Sequence, residues 1–250
     1  MASIELLRGR LDAAGRRRAA ERTSGLRVFT DFDGTVARDD VTDAVLERFA
    51  PPEWETIEAR WRSGEIDAAT CMRRQIALID APPSALEAFL DGLEIDPGFP
   101  RFAEWCHEEG IPLAIVSDGV DHFARRILAR HGLSHLPVFA NQWVSDGGRY
   151  SLRQPWRAPG CRAGAGVCKC SIAADRAAAP AGDRWVYVGD GRSDRCVSPR
   201  ADLLFAKDDL ASHCREHRMP YLPFESFDDV REALSALAHA PARTGRECAE

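Results

Sequence analysis

The segment RVFTDFDGTVARDD, residues 27–40, runs an apolar stretch straight into acids. Asp31 and Asp33 stand two residues apart, with Gly34 and Thr35 directly after them. Two later stretches repeat the theme: IVSDG, which carries Ser117 and Asp118, and VGDGRSD, which carries Asp190 and Asp194. One Asp-Gly after a strand is an ordinary turn. Three apolar runs that each end this way are hard to explain as turns, because carboxylates gathered in one crevice repel each other unless a cation lies among them. Oxygen ligands without clustered imidazoles suit Mg²⁺, which keeps part of its water and shares its shell with a phosphate. Lys169 adds one more charge. It and Lys207 are the only lysines in a chain that otherwise uses Arg, so a Lys marks a place where Arg will not serve.

These residues need a frame that brings distant segments together, and the patterning supplies one. Residues 1–24 read as a charged, weakly amphipathic helix. A short strand through Leu26 and Val28 ends near Asp31. The stretch 40–95 is purely helical: Val41, Val45 and Phe49 are spaced by four, Trp54, Ile57 and Trp61 share a face, and Pro-Pro pairs punctuate the helices. A helix near 98–109, a strand Ile111–Val116 and a helix Val120–His131 follow. A hairpin over Val138–Val144 and Tyr150–Leu152 precedes a Gly-, Pro-, Arg- and Cys-rich loop, 153–168. A helix near 170–179 then leads to the strands Trp185–Val188 and Leu203–Ala206, each followed by a helix. The tail 241–250 is expected to be disordered. Alternation of this kind implies an α/β fold, a parallel sheet with helices on both faces, whose ligands sit beyond the carboxyl ends of the strands.

The composition narrows the function. The chain has 250 residues, 45% hydrophobic and 29% charged, with a formal net charge of −6. No basic block is long enough for a nucleic-acid footprint; the densest, Arg16–Arg18, reads as a solvated helix face. No apolar run reaches the ~18 residues of a membrane span. The charged start MASIELLRGR is not a signal peptide, so a cytoplasmic protein is expected, with its eight cysteines as thiols rather than a disulfide framework.

DFDGT, IVSDG, the isolated Lys169 and VGDGRSD, in that order, resemble the four motifs of the haloacid dehalogenase (HAD) superfamily. The resemblance spans roughly residues 26–207. It implies a Rossmannoid core domain over 25–39 and 96–240, with 40–95 as an inserted helical C1 cap like that of the phosphoserine-phosphatase-like branch. Within that branch FAPPEW (49–54), the Cys-rich loop and PYLPFESFDDV (220–230) are most similar to the MtnX-type phosphatases of methionine salvage, which act on 2-hydroxy-3-keto-5-methylthiopentenyl 1-phosphate.

The resemblance implies roles that suit the residues. Asp31 would be the nucleophile that forms an aspartyl-phosphate, and Asp33 the acid that protonates the leaving oxygen and then activates water. Thr35 would hold the loop or donate to phosphate, Ser117 and the N–H of Asp118 would hold phosphate oxygens, and Lys169 would neutralise the charge on nucleophile and phosphate. Asp31, Asp190 and the Asp33 carbonyl would bind Mg²⁺, with Asp194 behind them acting through water or by orienting Lys169. The partner would be a small phosphorylated metabolite, with the chain a monomer or a homodimer. Asp40 lies where phosphoserine phosphatases carry an acid for the substrate amine, or it caps a helix. Arg60 and Arg62 could reach an anionic substrate from the cap, although a surface placement suits both better. Asp118 in place of Gly and Ser193 in place of Asn depart from the phosphoserine pattern.

Other motifs have plainer readings. Cys161, Cys168 and Cys170 are spaced C-x6-C-x-C, without the C-x2–4-C of a zinc site, and are expected as packed thiols. His213 and His217 read as a solvated helix face, and Trp54, Trp61, Trp105 and Trp185 as packing. Alternatives are a phosphoserine, phosphocholine or phosphoethanolamine phosphatase, and an inactive binding domain on the same fold. The complete set Asp31, Asp33, Lys169 and Asp190 disfavours the latter. Asp33 also disfavours a dehalogenase, and product analysis would reveal a phosphoryl transferase.

Overall fold

A computed structural model describes residues 25–176 and 184–239. The expected helix over 1–24, the end of the helix near 179 and the tail 241–250 lie outside the described residues. Seven strands form one sheet: β1 Leu26–Thr30, β2 Leu113–Val120, β3 Val138–Asp146, β4 Arg149–Arg153, β5 Arg184–Gly189, β6 Leu203–Ala206 and β7 Leu222–Pro223. Their order is β4-β3-β2-β1-β5-β6-β7. All neighbours are parallel except the hairpin β3–β4. The central strand β1 pairs with β2 on one side and β5 on the other, so the three acidic segments leave adjacent strands at one edge. This is the point where strand order reverses, and such sheets open a crevice there.

The alternation along β1 explains both layers. Leu26 and Val28 point into one cluster, with α1 Val41–Phe49, α4 Pro83–Leu90, α5 Phe99–Glu108, α6 Asp121–Arg130 and α9 Phe227–His239. Phe29 points into the other, with α7 Lys169–Arg176 and α8 Asp208–His217. Helices therefore cover both faces, as the α/β reading expects. Among the described residues no helix is long and apolar enough to cross a membrane.

Between β1 and α5 the chain leaves the sheet and builds α1, α2 Glu53–Arg62, α3 Ala68–Ile76 and α4. Its exit and return lie side by side: the Asp96 N–H donates to the Val36 carbonyl at 2.8 Å, Arg38 N–H to the Glu94 carbonyl at 3.1 Å, and Ala37 bridges to Ile95. Asp40 and Asp67 cap α1 and α3 by accepting from Asp43 N–H and Thr70 N–H.

Two local differences from the sequence reading have physical causes. β2 continues past Val116 through Ser117–Val120, because Val120 still pairs with Asn141 after a register shift. Trp61 is not core packing: α2 buries none of its residues fully, and the Trp61 ring lies under the Arg192 guanidinium.

Candidate active site

Asp31 follows the last residue of β1, anchored by its N–H to the Val188 carbonyl of β5 at 2.9 Å. Phe32 turns inward and is buried, while Asp31 and Asp33 both line the crevice. The turn after them is sharp, and the Phe32 carbonyl accepts from the N–H groups of Thr35, Val36 and Ala37. Gly34 has φ +68°, and a Cβ there would meet Asp190 Oδ2 at 2.6 Å, so only glycine lets this loop approach the β5 loop.

Lys169 opens α7 and is almost wholly buried. Its Nζ lies 2.8 Å from Asp31 Oδ2, 2.6 Å from Asp194 Oδ1 and 2.9 Å from Ser193 Oγ. Asp194 has its other contacts filled as well. The buried Tyr187 hydroxyl donates to Oδ1 at 2.5 Å, and Asp190 N–H and Gly191 N–H donate to Oδ2 at 3.2 and 3.1 Å. Thr35 Oγ1 donates to Asp190. Ser117 Oγ donates to Asp33 Oδ2 at 3.0 Å and accepts from Gly119 N–H. The Asp118 carboxylate accepts from Val167 N–H at 3.2 Å, and Asn141 holds its carbonyl.

The crowding shows in the acidities. Burial raises Asp31 well above the usual carboxylate range and Asp194 adds to it, while Lys169 pulls it back down. Asp33 is pushed up to about 7, first by burial and then by the Asp40 charge. Burial also lifts Asp190, with Asp194 adding, and Asp118, each to about 6. Burial opposes the charge on Lys169, yet Asp194 and Asp31 outweigh it and hold the ammonium firmly charged.

Asp31, Asp190 and Asp194 bring carboxylate oxygens within 4.8 Å of one another. This all-oxygen set fits a hard divalent cation. Because Asp194 is filled by Lys169, Tyr187 and two backbone N–H groups, Asp31 and Asp190 are the better direct ligands, with Asp194 positioning Lys169. His213, Glu216 and His217 form the other such group among the described residues, on the outer face of α8.

The crevice opens into a pocket of about 250 Å³. Asp31, Asp33, Asp118, Asp190 and Ser193 line its floor; Asp40, Asp43, Glu58, Trp61, Arg62 and Met72 line the wall built by α1, α2 and α3. Asp40 caps α1, one of the two readings given for it, and it also faces the pocket. Arg60 does not join them, since its exposed guanidinium is held by Glu65.

A model of the family "haloacid dehalogenase-like hydrolase" matches residues 28–198. This chain belongs to the haloacid dehalogenase-like hydrolases. Within that superfamily it is a phosphoric monoester hydrolase, and its relatives carry that activity in their names. A 2-hydroxy-3-keto-5-methylthiopentenyl-1-phosphate phosphatase of Brevibacillus brevis is 33% identical over 215 residues, 84% of this chain and 95% of that one. The Geobacillus kaustophilus protein of the same name is 34% identical over 222 residues, 86% and 98% of the two chains. Among solved structures, a phosphoserine phosphatase with a phospho-aspartyl intermediate analogue aligns with TM-score 0.59 at 20% identity, covering 84% of this chain and 97% of that one. A probable phosphoserine phosphatase of Vibrio cholerae aligns with TM-score 0.65 at 19% identity, covering 92% and 75%. These two share the fold of this HAD hydrolase.

Sequence reasoning missed Tyr187, Arg192 and Glu58. Arg192 stood inside VGDGRSD and could have been found there. Tyr187 lies in an apolar strand run, where nothing in the pattern singles out its hydroxyl.

Proposed function

We propose that the chain is a Mg²⁺-dependent phosphatase that hydrolyses a small phosphorylated metabolite through an aspartyl-phosphate on Asp31. The pairing that carries this reading is a Lys169-held Asp31 carboxylate beside an Asp33 whose acidity sits near neutrality, both facing one pocket. Asp31 attacks phosphorus; Asp33, still partly protonated near pH 7, gives its proton to the leaving oxygen and later takes one from water. Lys169 offsets the charge on Asp31 and on the phosphoryl group it receives, and Asp194 keeps that ammonium aimed. Ser117 orients Asp33, and Thr35 orients Asp190. A Mg²⁺ ion on Asp31, Asp190 and the Asp33 carbonyl would supply charge stabilisation at the phosphoryl oxygens. Several groups acting together are required, since enzymes accelerate this class of reaction by up to ~10²¹ and one placed charge contributes about 10²–10³. Helices of residues 40–95 act as the cap over the pocket, and 25–39 with 96–240 form the core.

The substrate we infer is 2-hydroxy-3-keto-5-methylthiopentenyl 1-phosphate, which places the chain in methionine salvage. Its support is the 33–34% identity over nearly the whole length of relatives named for that activity. Trp61 and Met72 offer apolar walls to a thioether tail. Asp40, Asp43 and Glu58 favour a second reading, an amine-bearing phosphoester such as phosphoserine, phosphoethanolamine or phosphocholine. The test is a screen of these phosphates with Mg²⁺, reading released phosphate for the parent and Asp31→Asn. The proposal expects the highest kcat/KM on the methylthio substrate and no turnover by Asp31→Asn. A preference for an amine-bearing phosphate would move the assignment to the second reading.

A further inference from the structure

Lys169 and Asp194, which meet at 2.6 Å, each have a cysteine within two positions. Cys170 follows Lys169 in the first turn of α7, and Cys196 closes the turn that carries Ser193 and Asp194. The two lie 26 positions apart in the chain, yet the Cys170 thiol donates to the Cys196 carbonyl at 3.1 Å. Each thiol shifts the acidity of the other. The Cys196 thiol reaches back to the Ser193 carbonyl at 3.8 Å. Cys196 is half-buried and Cys170 is buried.

We infer that Cys170 and Cys196 form a dithiol that a hydroperoxide oxidises to a disulfide, and that this bond switches off the site served by Lys169. The switch rests on the phosphatase reading given above; the bond itself does not.

Cys170 is the attacking sulfur. The neighbouring Cys196 holds its thiol below the ordinary range and Arg200 adds to this, whereas burial pushes Cys71 and Cys106 up. Its place at a helix N-terminus acts in the same direction. The Cys170 thiolate attacks one peroxide oxygen: an S–O bond forms, the O–O bond breaks, and the departing hydroxide takes up a proton to leave as water. The Cys196 sulfur then attacks the sulfenic sulfur of Cys170. An S–S bond forms, the S–O bond breaks, and the hydroxyl leaves with the Cys196 proton as a second water. Two thiols lose two electrons in all and the peroxide gains them. Cys161 and Cys168 are a second neighbouring pair, but burial pushes Cys168 up.

A disulfide fixes the two sulfurs about 2.05 Å apart with a narrow dihedral range. Closing it draws the first turn of α7 against the 192–194 turn, and these two segments place the Lys169 ammonium and its Asp194 partner. A shift of about 1 Å in such a group costs on the order of 10²-fold in rate.

The test uses the full reduced chain, treated with hydrogen peroxide, then peptide-mapped and assayed on an aryl phosphate with Mg²⁺. The expected result is a Cys170–Cys196 bond, a fall in kcat of about 10²-fold, and recovery with dithiothreitol. Cys170→Ser and Cys196→Ser should each keep the reduced parent's rate and lose the peroxide response, while a Cys161→Ser, Cys168→Ser double variant keeps the response. A map showing Cys161–Cys168 instead, a mapped Cys170–Cys196 bond with unchanged kcat, or inactivation that persists in both single variants overturns the switch. If either variant fails to fold by circular dichroism, the parent's map and its recovery decide. A reduced parent with no turnover refutes the phosphatase reading, and the switch with it, even if the bond maps as expected.

Discussion

The Lys169 ammonium lies 2.8 Å from the Asp31 carboxylate, and both side chains are almost wholly buried. Asp194 at 2.6 Å, Ser193 and Tyr187 complete the enclosure. A guanidinium is wider and seeks paired acceptors in its plane, whereas an ammonium fits as a point charge. Lys169→Arg should therefore lower kcat by at least ~10²-fold, the scale of one preorganised charge. Lys207→Arg is the control. Lys207 stands 5.4 Å over the Phe224 ring, a contact that Arg keeps, and this variant should be nearly silent. Steady-state kinetics on both, with circular dichroism for folding, decide. A near-parent kcat for Lys169→Arg would remove the lysine from the proposed chemistry.

Much of this enclosure was visible in the sequence because it lies in short local motifs. Asp31 and Asp33 closed an apolar run, and Asp190 and Asp194 closed another. Gly and Pro punctuation then separated strands from helices clearly enough to give the sheet. The missing parts depend on which face an element turns to its neighbour. Trp61 shares a helical stripe with Trp54 and Ile57, and the periodicity does not say whether that stripe meets a core or a pocket. Ser117–Gly119 read as loop since polar residues end most strands, yet this segment stays in the sheet. The Cys170–Cys196 contact joins residues brought together only by the fold.

Tyr187 carries the next prediction. It is fully buried in β5, and its hydroxyl donates to the same Asp194 oxygen that holds Lys169. Hydrogen bonds to charged groups contribute about 1.5–3 kcal/mol. Tyr187→Phe keeps the ring packing and removes that donor. It should lower stability by about 1–2 kcal/mol in chemical denaturation. It should also lower kcat more than it raises KM, because Lys169 loses a fixed partner and the pocket lining is unchanged. An unaltered kcat would limit Tyr187 to packing.

The buried carboxylates set a pH dependence of stability. Asp33 at about 7, with Asp190 and Asp118 at about 6, bind protons more tightly in the folded state than in the unfolded chain. Their contribution is fully present below the unfolded value near 3.8 and is lost as pH rises through 6 to 7. Lys169, which Asp194 and Asp31 hold charged above its ordinary range against the effect of burial, contributes evenly across this window. Asp91 and Asp228, held below 3.8 by Arg126 and Arg101, are ionised throughout it. Without divalent metal, Tm should therefore be higher near about pH 6 than near about pH 8. Mg²⁺ should raise Tm more at the higher pH, since it binds the deprotonated oxygens. Scanning calorimetry with EDTA or Mg²⁺ at both pH values measures this. A metal-free Tm that rises toward pH 8 would contradict the assigned shifts.

The last prediction concerns the contact across the pocket mouth. Arg192, in the turn after β5, places its guanidinium 4.9 Å from the centre of the Trp61 ring on α2. Both residues line the pocket, one from the sheet side and one from the helical insertion. Their contact spans the pocket, so they are expected to hold the insertion over a bound substrate. Arg192→Gln and Trp61→Leu should each raise KM several-fold while leaving kcat near the parent value. Such a cation–π pair is worth about 0.5–2 kcal/mol, depending on how far it is desolvated. A double-mutant cycle on kcat/KM should therefore return a coupling of about 1 kcal/mol between the two. Arg195, whose guanidinium pairs with Asp209 on α8, supplies the comparison. Arg195→Gln combined with Trp61→Leu should be additive. If the Arg192 and Trp61 effects prove additive as well, or fall on kcat rather than KM, the contact does not hold the pocket closed.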